Sequence, residues 1–301
     1  MPSISVIIPT YNRPGSLAWC LRALEEVDFP RERFEVIVVD DGGSMAAVST
    51  IGELTLALDL IVLRQNNAGP GAARAAGAQR ARGRYLIFLD DDCVPERGWL
   101  RALAAHLESS GLEAVAGKTV NGCPGNLYDC ASHLLSYHQY AGYSNNPASV
   151  EFLATNNLAV RADLFHAVGG FHPDLVLAYE DREFCDRWRH FGHRLAYAPE
   201  AVVRHCRSMT MLSFCRQQWT YGRMASHYYG LVSNCAARRI CGHLPRLYLG
   251  VARQALCDHR GWRRAPILAL LAVSQLIAAT GFAQECLFRS RGPIAKRPAL
   301  T

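Results

Sequence analysis

At 301 residues, half of them hydrophobic and 19% charged, the chain can build one large domain or a domain with an appendage, and its composition excludes a disordered or fibrous protein. The net charge of +6 is unevenly spread: residues 1–200 hold 17 Lys/Arg against 24 Asp/Glu (−7), and residues 201–301 hold 15 against 2 (+13). A basic last third points to an anionic partner surface, lipid or nucleic acid.

The N-terminus, "MPSISVIIPTYN", enters an apolar run with no basic leader, so no signal peptide is expected. Four short runs follow one another: "ISVIIP" (4–9), "EVIVVD" (35–40), "LDLIVLR" (58–64) and "YLIFLD" (85–90). They lack the apolar/polar alternation of a one-sided sheet and predict buried parallel strands. Helix-like stretches, "GSLAWCLRALEEV" (15–27) and "PGAARAAGAQRARG" (70–83), lie between them. The alternation predicts a doubly wound α/β sheet. Each run ends in polar residues: Thr10-Tyr11-Asn12, Asp40-Asp41-Gly42-Gly43, Gln65-Asn66-Asn67 and Asp90-Asp91-Asp92. In open α/β sheets ligands bind beyond the carboxyl ends of the strands, so that edge is the expected site.

Residues 97–111 have helical spacing, "LEAVAGKTV" (112–120) predicts a strand, and "NLYDCASHLLSYHQYAG" (126–142) a helix. An amphipathic helix at about 180–191, a turn at Gly192 and short strands ending at His205 follow. From residue 208 the pattern is of helices rich in Arg and aromatics, which sets a domain of residues 1–207 apart from a basic helical region of 208–301. Residues 265–284 carry no charge and, as a helix, would span about 30 Å. Pro266, Ser274, Gln275, Thr280 and Gly281 dilute that stretch, and arginines flank both ends (Arg260, Arg263, Arg264; Arg289, Arg291, with Lys296 and Arg297), so no orientation follows. It is either a packing helix or a membrane-associating one, and the tail "RSRGPIAKRPALT" is expected to be disordered. Eleven cysteines without a CxxC pair argue for reduced, buried thiols in a cytosolic protein.

Three adjacent aspartates at the end of an apolar strand need compensation. Residues two apart in an extended chain share a side, so Asp90 and Asp92 can face one crevice, where Mg²⁺ or Mn²⁺ is the expected partner. "NNAGPGAARAAG" (66–77) is not a phosphate loop, since Arg74 stands where a third glycine would be needed. Glu183 and Arg187 form an i,i+4 pair, and Glu180 and Asp181 precede the helix body. An aspartate cluster able to hold a metal–diphosphate, with a second acidic pair about ninety residues on, suits transfer of a phosphate-activated group to a hydroxyl.

"SVIIPTYNRP", "VIVVDDGG", "NAGPGAARAAG", "FLDDDC", "ATNNLAVRADLFHAVGGF" and "YEDREFCDRW" together resemble, in order over residues 3–207, the motifs of family 2 glycosyltransferases with the GT-A fold. The resemblance implies an inverting transferase that moves a hexose or deoxyhexose from a nucleotide-diphospho-sugar to a glycan, polysaccharide or lipid-linked acceptor, with Mg²⁺ or Mn²⁺ as cofactor. By position it implies that Pro9, Thr10 and Asn12 border the nucleotide, Asp41 or Asp40 bonds the base, and Arg74 lies near the nucleotide. Asp90 and Asp91 would face ribose and sugar, Asp92 would hold the metal, and His205 matches a further metal ligand of some relatives. Asp181 matches the catalytic base, with Glu180 beside it, while Asn156, Asn157, Arg187 and Trp188 fall on the acceptor or donor-sugar side.

"DDGG" replaces the commoner DDGS, and "CDRW" replaces the QxxRW of processive synthases, which favours single addition. With the basic helices, the resemblance implies residence on the cytoplasmic face of the membrane and no nucleic-acid partner. Two alternatives remain at this point: a haloacid-dehalogenase-like phosphatase, which also places DxD after a strand, and a non-catalytic membrane-bound partner that keeps the fold.

Overall fold

The computed structural model describes residues 2–44, 47–109, 112–138, 140, 150–231 and 248–289. The expected tail, residues 139 and 141–142 of the 126–142 helix, and Arg291, Lys296 and Arg297 lie outside them. The chain divides into two compact units. One takes 1–122, 140–176 and 180–206; the other takes 123–139, 177–179 and 207–301.

The first unit is an eight-stranded sheet flanked by helices. Its strands are β1 (Ile4–Thr10), β2 (Phe34–Asp40), β3 (Leu60–Arg64), β4 (Tyr85–Leu89), β5 (Cys93–Pro95), β6 (Ala114–Asn121), β7 (Asn157–Arg161) and β8 (Leu195–His205), in the order β3-β2-β1-β4-β7-β6-β8-β5. The four apolar runs form the parallel half, as expected of strands covered on both faces. β7 enters antiparallel to β4 and β6, β8 returns parallel to β6, and β5 closes the edge antiparallel to β8. Register brings the strand ends level: Thr10 lies opposite Asp40, and Asp40 opposite Arg64.

The short strands expected before His205 are one eleven-residue strand with a bulge. Gly117 pairs with Ala198 while Lys118 pairs with Val202, so Pro199, Glu200 and Ala201 bulge out. A proline cannot donate to a ladder, and the bulge absorbs it.

Helices α1 (Pro14–Glu25), α2 (Ala47–Gly52), α3 (Pro70–Arg80), α4 (Trp99–Ser109), α6 (Ala162–Ala167) and α7 (Glu180–His190) belong to this unit, and α5 (Leu127–Tyr137) to the other. Leu17, Cys20, Leu21 and Leu24 put one stripe of α1 into a core shared with Leu100, Leu103 and Leu107 of α4 and with strand residues such as Val6, Val36 and Ile87. Phe88, Phe165, Phe171 and Phe184 form a second packing centre with ring centroids 5.1–5.6 Å apart. Phe184 and the fully buried Trp188 anchor α7, which fixes where its acidic first turn lies.

The second unit consists of α5, α8 (Met211–Leu231), α9 (248–258) and α10 (Arg264–Arg289). Asn126 caps α5 by accepting from the backbone N–H groups of Tyr128 and Asp129 and donates to the Met209 carbonyl. Cys130, Leu134, Phe214, Val251, Ile267 and Leu271 meet in one cluster. Gly222 lets α8 and α10 touch backbone to backbone, since a Cβ there would lie 1.9 Å from the Ala278 carbonyl oxygen. Glu285 of α10 joins Arg223 and His227 of α8 at 2.7 and 3.0 Å.

Residues 261–288 are long and apolar enough to cross a membrane by length and composition, with a mean hydropathy of 1.8 over an 18-residue window. A core helix is mostly buried, but only 22% of that window is. Among the nine described cysteines Cys20, Cys93, Cys130 and Cys185 are buried, but Cys257 and Cys286 are exposed. The expectation of buried thiols therefore fails at Cys257 and Cys286 of the helical unit.

Candidate active site

The crevice at the strand ends is built from two acidic turns, after β2 and β4, and the acidic first turn of α7. At the end of β2, Asp40 turns back on its own loop and accepts from the Gly43 and Ala47 N–H groups at 3.1 Å each, with Arg64 at 3.7 Å. Asp41 accepts from Gln65 Nε2 at 2.7 Å and from the N–H groups of Ala68 and Gly69 at 2.9 and 2.8 Å. Both are buried. Gly69 makes that turn with φ +90°, where a Cβ would lie 2.1 Å from the Val176 carbonyl oxygen. Pro9 is buried in β1. Asn12 follows with φ +54° and accepts from the Ser44 hydroxyl at 3.2 Å, a left-handed position that Asn tolerates better than most residues.

Past β4, the three aspartates meet cations instead. Arg74, 4% exposed on α3, donates to Asp90 at 2.5 Å and to Glu180 at 2.7 Å, so one guanidinium joins the β4 end to the start of α7. Asp91 accepts from the Thr10 hydroxyl at 2.7 Å and from Arg13 at 3.2 Å. Asp92 accepts from Arg13 at 2.9 Å and lies 2.9 Å from His205 Nε2. Burial pushes the Asp91 carboxyl well above the usual carboxylate range; Arg13 opposes that shift, and Asp92 adds to it.

Burial likewise raises Glu180, with the neighbouring Asp181 raising it further and Arg74 opposing. Asp181 is raised by burial against the opposing charges of Arg182 and Arg74, and its Oδ1 accepts from the Arg182 N–H at 2.8 Å. Asp90 and Arg74 both act on Asp181, which places it in the field of the same crevice.

Asp92, His205 and Cys93 each present one donor atom, all within 4.8 Å of one another. The carboxylate and imidazole are donors that Mg²⁺ or Mn²⁺ accepts, and burial holds the Cys93 thiol in its protonated form. The residues present therefore fit a divalent cation.

Asn156 donates to Thr119 Oγ1 at 3.2 Å and to Cys93 Sγ at 3.5 Å, beside that donor set. Asn157 instead ties the sheet together, accepting from Trp99 Nε1 at 2.8 Å and donating to the Ala201 carbonyl at 3.0 Å. Arg187 bonds Glu183 and the carbonyls of Val168 and Gly170, and Trp188 donates to the Arg194 carbonyl. These last three hold the loops and helix around the site.

Sequence reasoning missed Arg13 and Cys93. Arg13 had a usable signal, since a cation directly after the first strand end can reach acids on the adjacent one. Cys93 had none, because its donor role depends on strand pairing with His205.

A mostly parallel sheet whose carboxyl ends gather carboxylates, two arginines and a histidine, extended by an antiparallel edge, is the arrangement of the GT-A class of α/β proteins. The model of the family "Glycosyl transferase family 2" matches residues 5–168, more than half the chain, and the chain belongs to that family. It is 28% identical over 212 residues to the glycosyltransferase AglE of Haloferax volcanii, covering 68% of this chain and 67% of that one. It is 28% identical over 228 residues to the pre-mycofactocin glycosyltransferase of Mycobacterium tuberculosis, of which it spans 47%, about half the length, while 74% of this chain is covered.

Two solved structures share the fold. One is the mannosyltransferase PcManGT of Pyrobaculum calidifontis in complex with GDP-Man and Mn²⁺, with TM-score 0.59, 19% identity and 96% and 81% of the two chains covered. The other is S. aureus TarS 1–349 in complex with UDP-GlcNAc, with TM-score 0.55, 17% identity and 97% and 92% covered.

Proposed function

We propose that this chain is a metal-dependent, inverting glycosyltransferase that adds a single hexosyl or deoxyhexosyl unit from a nucleotide-diphospho-sugar to an acceptor hydroxyl. The observation that carries the reading is the Arg74 bridge, which joins Asp90 at the donor-side strand end to Glu180 beside Asp181. Donor and acceptor functions thereby share one rigid crevice. The relatives support a nucleotide-sugar donor, since one neighbour binds GDP-Man and another UDP-GlcNAc.

Asp92 and His205 are the residues that would hold Mg²⁺ or Mn²⁺. When bound, such a cation supplies positive charge against the departing diphosphate. Thr10 holds the Asp91 carboxylate, and Arg13 pairs with Asp91 and Asp92. Asp40 and Asp41 act on the nucleotide base through the backbone they hold, at Gly43 and Ala47 and at 65–69. Asp181 takes the proton of the acceptor hydroxyl as its oxygen attacks the anomeric carbon; the bond to the diphosphate breaks on the opposite face, inverting that centre.

Asp181→Asn should lower transfer by about 10²–10⁴-fold while a thermal-shift titration with donor and Mn²⁺ stays as in wild type. Unchanged turnover removes Asp181 from the mechanism. Because the Asp181 carboxyl is raised and acts ionised, the acid limb of kcat/KM should lie above the ordinary carboxylate range, with activity lost as pH falls through it. The product's anomeric configuration by NMR tests inversion.

We further propose a place on the cytoplasmic face of a membrane, and the helical unit supports the membrane contact. The α10 stripe Ala272, Leu276, Ala279, Ala283 and Leu287 is exposed and wholly apolar, and exposed Trp262 sits among Arg260, Arg263 and Arg264. Flotation with anionic but not neutral liposomes is expected, and no flotation with either removes the membrane from this reading.

A further inference from the structure

The donor set beside Asp92 includes an atom that the proposed reaction does not use. β5 and β8 pair antiparallel with Cys93 directly opposite His205, which puts both side chains on one face with Cβ atoms about 4.5–5.5 Å apart. The ladder continues through the Cys206 N–H, which donates to the Asp92 carbonyl at 2.8 Å, so all three donor residues sit on tied backbone. Asn156 Nδ2 lies 3.5 Å from the sulfur, and Cys93 itself is fully buried.

We propose that Cys93 makes the Asp92–His205 pair a thiophilic cation site as well, so that Zn²⁺ is captured through one sulfur, one nitrogen and one oxygen ligand. Bond lengths of about 2.3 Å to sulfur and about 2.0 Å to nitrogen and oxygen place tetrahedral donors about 3.3–3.5 Å apart. The observed set, within 4.8 Å and with Asp92 and His205 at 2.9 Å, brackets that spacing and needs side-chain rotation alone to meet it. The Cys93 thiol loses its proton to solvent as the Zn–S bond forms, and no redox change occurs.

Mg²⁺ and Mn²⁺ gain little from a neutral thiol, whereas Zn²⁺ gains a thiolate. Zn²⁺ held this way ties up the Asp92 carboxylate and should inhibit transfer reversibly. The inhibition rests on the proposed role of Asp92 toward the donor; the capture does not.

The test uses the full chain, wild type against Cys93→Ser, titrated with Cd²⁺ alone and read by thiolate-to-cadmium charge-transfer absorption. The band from the first equivalent should be lost in the variant. The Zn²⁺ concentration for half-inhibition should rise about tenfold or more, in line with the 10–100-fold effect of lost metal-site support. Equal bands and equal inhibition in both proteins overturn the proposal.

If the serine variant does not fold, zinc-edge X-ray absorption of wild type loaded with one equivalent decides. One sulfur among nitrogen and oxygen scatterers supports the site, and a shell of nitrogen and oxygen alone overturns it. A sulfur scatterer retained at the same affinity in His205→Ala assigns the ion to other cysteines and also overturns it. Mn²⁺ binding by EPR separates the two readings. Mn²⁺ bound without a thiolate band overturns this inference and leaves the donor site standing; the thiolate band without Mn²⁺ binding supports this inference and removes the donor-side metal.

Discussion

The carboxyl ends of β2 and β4 both present consecutive aspartates, and their partners differ. At β2 the partners of Asp40 and Asp41 are mainly the backbone N–H groups of Gly43, Ala47, Ala68 and Gly69. At β4 Asp90, Asp91 and Asp92 face Arg74, Arg13 and His205. Backbone donors are fixed in place, so the first pair shapes loops. Side-chain cations can rotate away or be replaced by a ligand's own charge, so the second set is free to exchange partners. Similar acidic turns thus do different physical work because one is held mainly by the main chain and the other by side chains.

The comparison breaks most severely at Arg74. Arg74→Met leaves Asp90 and Glu180 without their shared cation in a buried setting, and removing one partner of such a pair costs about 3–5 kcal/mol. Denaturant unfolding should show that loss together with lost donor binding. A stability change near zero would mean the bridge is not formed in solution. Asp41→Ala should come next, because it strands the buried Gly69 N–H, at about 1–3 kcal/mol for an unsatisfied group, and releases that of the exposed Ala68. Its signature is faster hydrogen exchange at 65–69 with Mn²⁺ affinity unchanged. A weakened Mn²⁺ affinity would show that the β2 acids belong to the cation site after all.

The parallel half of the sheet was legible because uninterrupted Val/Ile/Leu runs bounded by polar turns have few other solutions. The gathering of acids at its edge was legible too, since strands in parallel register end level. What satisfies each acid was not, because Asp41 meets Ala68 and Gly69 through a loop whose path no local pattern encodes. The β8 bulge was missed because Pro199 looks like a strand end until Gly117 opposite is seen to shift register. The exposed cysteines of the helical unit were missed because burial there depends on α8–α10 packing, which Gly222 permits and hydropathy does not reveal.

The smallest effect on stability, and the sharpest use of the contrast, lies at Arg13. Its side chain is 55% exposed, so pairing with Asp91 and Asp92 is screened and Arg13→Ala should cost under about 1 kcal/mol. Its effect on the cation site should be larger in kind. In the protein without donor, Arg13 lends positive charge to the two carboxylates that a divalent cation would need, and it competes with that cation for them. Removing it should therefore tighten Mn²⁺ binding to the donor-free chain, read by EPR or calorimetry. Asp40 and Asp41 are held mainly by backbone N–H groups, and the one arginine near them, Arg64, lies 3.7 Å from Asp40, so the same experiment there should change Mn²⁺ binding little. Mn²⁺ affinity that falls in Arg13→Ala would reverse the assignment, making Arg13 a residue that holds the carboxylates in position for the cation. In that case both strand ends would be built alike, each with its acids pinned by fixed donors.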